Sequence, residues 1–157
     1  LAGVDTIEHA SFIDDEGIRL AKKNGAFLAM DVYVTEYILG EGEAAGILAE
    51  SLDKERMTGA TQRENFRKAH AAGVRMIFGT DAGVYPHGDN ARQLSRMTEF
   101  GMSAAQALQA ATVTSAEALG QGSDIIAVAG DPLADINLLE KPSFVMKNGV
   151  VYRDQTE

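Results

Sequence analysis

The sequence predicts an α/β chain: strand and helix alternate over residues 1–120, and a small β element follows over residues 121–157. Three observations predict it. Short apolar runs with β-branched residues recur at 4–9, 26–34 and 74–80. Between and after them lie segments with helix caps and helical spacing, and such alternation implies parallel strands. Beyond Gly120 the texture changes to two strand-like runs separated by turn residues.

Each element has a local reason. Residues 4–9 end in His9, and Asp14 is a good N-cap for the helix that follows. Ile13 and Ile18 stand at the N′ and N4 positions of that cap, a hydrophobic staple. Gly25 ends the helix, with Lys22 and Lys23 where the dipole favours cations. The run AFLAMDVYV at 26–34 reads as a second strand. Glycines interrupt 36–50, which reads as loop plus weak helix. Residues 53–72 form a helix ended by Gly73, and 74–80 a third strand. Gly, Pro, Asp and Asn make 81–90 a loop.

Residues 91–100 are helical. Ser103 and Gln106 form a capping box opening the next helix. Thr114 or Ser115 is expected to cap a last short helix ending at Gly120. In the tail, 124–129 and 144–152 read as strands, the second a hairpin around Asn148-Gly149. Asp131-Pro132 is a turn.

Composition narrows the function. The 157 residues are 45% hydrophobic and 24% charged, which suits one soluble domain with a buried core. The net charge of -9 argues against a phosphate-backbone binder, so no nucleic-acid partner is expected. No apolar run is long enough for a membrane span and no secretory leader is visible, so a cytoplasmic location is expected. Cysteine is absent, which excludes disulfides, thiolate ligands and a cysteine nucleophile. Any metal must rest on Asp, Glu and three histidines.

Two of the strand candidates end in residues that can bind metal: His9 and Asp81. In a β/α barrel the C-terminal strand ends face the active site. A histidine at a strand end is also a common half-buried structural residue, and an aspartate after Gly-Thr is also a common cap. His87, in the loop 81–90, reads as a substrate contact or as a loop residue bonded to backbone. Tyr33 ends the second strand and reads as a pocket hydroxyl or a packed aromatic. His70 reads as favourable charge late in a helix. Glu8, Asp31 and Glu36 read as solvated or hydrogen-bonded groups without a nameable partner.

Six stretches, in order, carry a resemblance: GVDTIEH at 3–9, FGTDAG at 78–83, YPHGDN at 85–90, ALQAAT at 107–112, GDPL at 130–133 and VMKNG at 145–149. Together they resemble the amidohydrolase superfamily, in its imidazolonepropionase-like and prolidase-like branch. The first two match the family's sixth-strand and eighth-strand motifs. The resemblance implies the C-terminal portion, about strands 6–8, of a TIM-type (β/α)8 barrel over residues 1–120. Residues 121–157 would be the remnant of a small β-sandwich domain. It implies His9 and Asp81 as ligands of a divalent metal, zinc first, and Asp81 as the proton acceptor from the attacking water. His87 and Tyr33 are the expected substrate-binding residues.

The implied activity is metal-dependent hydrolysis of amide bonds in small peptides, dipeptidase or carboxypeptidase in kind, with Xaa-Pro substrates first. Hydrolysis of a cyclic amide is the alternative within the class. A non-catalytic module derived from such an enzyme is the alternative outside it. The family's first-strand His-x-His pair, fourth-strand bridging residue and fifth-strand histidine have no counterpart here. Only Gln121-Gly122-Ser123 stands where the family carries a longer glycine-bearing segment. The chain is therefore expected to be a piece of a full barrel with open strand edges, for which a second copy of the chain is one conceivable partner.

Overall fold

The computed structural model describes residues 2–122 and 124–155. Ser123, in the short link after Gly120, lies outside them. Three short strands, β1 (Thr6–Glu8), β2 (Phe27–Ala29) and β3 (Arg75–Ile77), pair in parallel in the order β1-β2-β3. Their register aligns Thr6, Phe27 and Arg75, then Glu8, Ala29 and Ile77. Side chains alternate across a strand, so Ile7, Leu28 and Met76 share one face. That face meets the helices: Leu28 and Met76 join a core with Ile18, Ala21, Phe66, Ala69, Met97 and Ala107. The opposite face carries Glu8, Ala29 and Ile77, with Gly79 above it. A Cβ at Gly79 would stand 3.0 Å from that of Ala29.

Helix α1 (Asp15–Asn24) begins where Asp14 accepts a bond from the Gly17 amide at 2.7 Å and ends at left-handed Gly25. Ile13 and Ile18 both reach the core. The expected strand over 26–34 is shorter than its apolar run suggested. It stops at Ala29, and α2 (Val34–Gly40) begins within the run. The reason is tertiary. The Gln93 side chain donates to the Met30 carbonyl at 2.7 Å and accepts from the Tyr33 amide at 2.8 Å, bridging a turn closed by bonds from Val32 to Met30 and from Val34 to Asp31. The weak helix expected in 36–50 is α2, and the long helix α3 (Ala49–Ala71) starts four residues ahead of its expected start at Asp53.

Helix α4 (Arg92–Glu99) follows the 81–90 loop. Helix α5 (Ala104–Gln109) opens on the Ser103–Gln106 capping box. It then runs through a π turn (Ala110–Thr114) directly into α6 (Ser115–Leu119), which ends at left-handed Gly120. The expected cap at Thr114 or Ser115 is absent, since both residues keep helical dihedrals. The Ser115 hydroxyl instead donates to the Ala110 carbonyl at 2.6 Å and accepts from the Phe78 amide at 3.1 Å.

The tail forms an antiparallel sheet, β4 (Ile125–Ala127), β5 (Phe144–Lys147) and β6 (Val150–Asp154), in the order β4-β5-β6. The β5–β6 turn places Asn148 at φ 51° and Gly149 at φ 76°, as an Asn-Gly hairpin requires. A 3-10 turn (Ile136–Glu140) anchors this segment, with Ile136 and Leu139 buried in the main core. Among the described residues no helix is long and apolar enough to cross a membrane.

Candidate metal centre

The three parallel strands end on one side of the sheet, and each is followed by a residue that can bind metal. His9 comes directly after β1, Asp31 shortly after β2, and Asp81 after the Phe78-Gly79-Thr80 step beyond β3. One donor atom from each lies within 4.8 Å of the other two. The His9 amide still bonds the Ala29 carbonyl at 2.8 Å, so the ladder holds up to the site. There the chain turns sharply. His9, Ala10 and Asp81 have φ of 59°, 48° and 50°. Non-glycine residues enter this left-handed region at a cost and need surrounding structure to keep them there.

That structure comes from α3. Gln62, 4% exposed, donates from Nε2 to Asp31 Oδ1 at 2.9 Å and to the His9 carbonyl at 3.4 Å. One turn on, Asn65 donates to the Ser11 carbonyl at 2.9 Å. Asp31 is buried, and its Oδ1 lies 3.0 Å from His9 Nδ1. The His9 side chain is 58% exposed, so the far side of its ring is open. Glu8, His9, Ala29, Asp31, Gly79 and Asp81 border a cleft of about 300 Å³.

Asp31 is hydrogen-bonded, one of the two readings its sequence allowed, and its partners, which the sequence did not name, are His9 and Gln62. Its signal was a lone carboxylate inside the apolar run AFLAMDVYV, at the end of the strand between those leading to His9 and Asp81. Tyr33 is buried, its ring edge-on to Tyr85 at 5.0 Å, and its hydroxyl accepts from Arg92 Nη1 at 3.1 Å. His87 is exposed in the 81–90 loop and does not border the cleft. The Tyr85 hydroxyl is buried and meets Thr80 without a well-aligned hydrogen bond among the described residues. Burial pushes its pKa up.

The model of the amidohydrolase family matches residues 1–153. The chain belongs to the amidohydrolase family. Its fold is close to that of a Xaa-Pro dipeptidase solved with methionine in the active site. Identity is 36%, the TM-score is 0.87, and the match covers 97% of this chain and 40% of that one. A prolidase complexed with N-methylphosphonate-L-proline is 25% identical at a TM-score of 0.88, over 98% of this chain and 41% of that one. Ochratoxinase of Aspergillus niger is 28% identical over 169 residues, 97% of this chain and 34% of that protein. The chain thus spans well under half the length of these relatives.

In an amidohydrolase chain, one imidazole and two carboxylates at this spacing could hold a divalent metal ion. The donor chemistry suits it. Nitrogen and oxygen ligands without thiolate are the set used by catalytic zinc and related ions.

Proposed function

We propose that the protein is a metal-dependent hydrolase of amide bonds in small peptides, with Xaa-Pro dipeptides as the first substrate class and carboxypeptidase-like cleavage within the same chemistry. One observation carries this reading: His9, Asp31 and Asp81, from three parallel strand ends, meet within 4.8 Å. The similarity to a Xaa-Pro dipeptidase and a prolidase supports the substrate class. In this reading β1–β3 correspond to strands 6–8 of the (β/α)8 barrel, residues 1–120 are its partial barrel domain, and 121–157 belong to a small β domain.

His9 and Asp81 would hold the ion, zinc first, with Asp31 beside them. A bound divalent ion supplies a Lewis acid that polarises the scissile carbonyl and acidifies water. The chain's own part is proton movement and placement. The Asp81 carboxylate, fixed by its turn beyond β3, takes a proton from the attacking water and returns it to the leaving nitrogen. His87, exposed on the 81–90 loop, would contact substrate in this reading, whereas Tyr33 is buried against Tyr85 and would have to be uncovered to do so.

In the natural protein that carries this sequence, Asp81→Asn should lower kcat on a Xaa-Pro dipeptide by about two to four powers of ten, with metal content unchanged. Asparagine keeps the shape but cannot take the proton. Near-normal turnover at full occupancy would remove Asp81 from that role. His87→Ala should raise KM more than it lowers kcat. The 157-residue chain by itself should bind zinc weakly, because two side chains with Asp31 beside them leave the ion largely held by water. Calorimetric titration with zinc chloride measures this, and tight stoichiometric binding would show a ligand set other than the one proposed.

A further inference from the structure

Gln62 and Asp31 lie behind His9, and their hydrogen bonds point in one direction. The Gln62 amide can donate only from Nε2, and that atom faces Asp31 Oδ1 at 2.9 Å and the His9 carbonyl at 3.4 Å. The same Oδ1 faces His9 Nδ1 at 3.0 Å. With Oδ1 already accepting from Gln62 Nε2, the contact is made with Nδ1 as the donor. With Nδ1 protonated, the lone pair of the neutral ring sits on Nε2. The ring is held on one side and open on the other.

We infer that Gln62 and Asp31 are positioning residues for His9. Gln62 fixes the buried Asp31 carboxylate, and Asp31 holds the imidazole as its Nδ1–H tautomer with Nε2 presented to the cleft. Gln62 does this twice over, because its second bond holds the His9 carbonyl within the left-handed turn. Asp31 Oδ1, already accepting from two donors, is thereby committed to the histidine. The value of this arrangement to metal binding rests on the function proposed above; the tautomer does not.

Nuclear magnetic resonance of the 157-residue chain with isotope-labelled histidine separates the two. Only His9, His70 and His87 contribute, and His9→Gln assigns the signal of interest. At alkaline pH, where the rings are neutral, long-range nitrogen–proton couplings should show His9 in the Nδ1–H form, favoured roughly tenfold or more by the charged acceptor. In Gln62→Met, which keeps the volume and loses the donor, that preference should fall toward the Nε2–H form common in free imidazole. The His70 and His87 signals report whether the fold is kept.

A wild-type His9 in the Nε2–H form would overturn the inference with no variant needed. An unchanged tautomer in a folded Gln62→Met would remove Gln62 from it. Zinc chloride is then added to both proteins. Gln62→Met should bind about ten- to a hundredfold more weakly, the usual cost of losing a group that orients a ligand. A His9 signal indifferent to zinc would count against the metal reading, while the tautomer would still decide the positioning role.

Discussion

Tyr85 buries a phenol whose hydroxyl meets Thr80 without a well-aligned hydrogen bond among the described residues. A buried hydroxyl left poorly paired costs up to about 1–3 kcal/mol, whereas its ring packs against Tyr33 and Tyr37 and stabilises. Tyr85→Phe keeps the ring and removes the penalty, so it should leave Tm unchanged or raise it. Because burial raises its folded pKa, the folded state holds the phenol proton more tightly than the unfolded chain. Its titration therefore leaves stability unchanged below the unfolded value of about 10 and lowers it as pH rises beyond that value. Denaturant titrations above that value should show a shallower loss of stability in Tyr85→Phe than in the wild type. Single residues also mark how far the site could be read. His9 and Asp81 stand out because they close strand-like runs of the sequence, although β3 itself ends at Ile77. Asp31 was hidden by its own context, since an acid in an apolar run has no visible partner until α3 is placed. Gln62 carries no local signal, because its bonds close over 31 and 53 residues.

Among the elements, α3 shows two preferences in opposition. Gly59 lies mid-helix, where alanine is intrinsically better by about 1 kcal/mol. A Cβ there would meet Thr35 Cγ2 at 2.5 Å and Glu55 Oε1 at 2.9 Å. The clash with α2 should win, and Gly59→Ala should destabilise by about 1–3 kcal/mol by chemical denaturation. A net gain would mean that α2 yields easily. At α1 no such conflict exists. Asp14→Ala removes the bond to the Gly17 amide and should cost about 1 kcal/mol. Helix ends such as Asp14, Gly25 and Ser103 were legible because their causes are local. The strand over 26–34 was overestimated because its end is set by Gln93, some sixty residues away. The π turn was missed because Ser115 spends its hydroxyl on the Ala110 carbonyl and the Phe78 amide instead of capping a helix.

Across the whole molecule, burial is uneven. Strand β2 is buried throughout, whereas every residue of β4 and β6 is exposed. The tail sheet is held chiefly through Ile136 and Leu139. Stability should follow this gradient. In native-state hydrogen exchange, β4–β6 amides should open at lower free energy than those of β2. Equal protection would show the two sheets unfolding as one unit. The parallel order of β1-β2-β3 was legible from alternation alone. How the tail attaches was not, because the 3-10 turn that carries Ile136 and Leu139 has no periodicity to reveal its buried side.

Gln93 has a consequence for inheritance. It is wholly buried and serves two backbone groups of opposite character, the Met30 carbonyl and the Tyr33 amide. Glutamate would set a carboxylate against the carbonyl, asparagine would fall one methylene short, and an apolar residue would leave both groups unpaired. Natural variants of this protein should therefore keep glutamine at 93. Where that glutamine has changed, the path of residues 30–33 should have changed with it, and Asp31 should have lost its place beside His9.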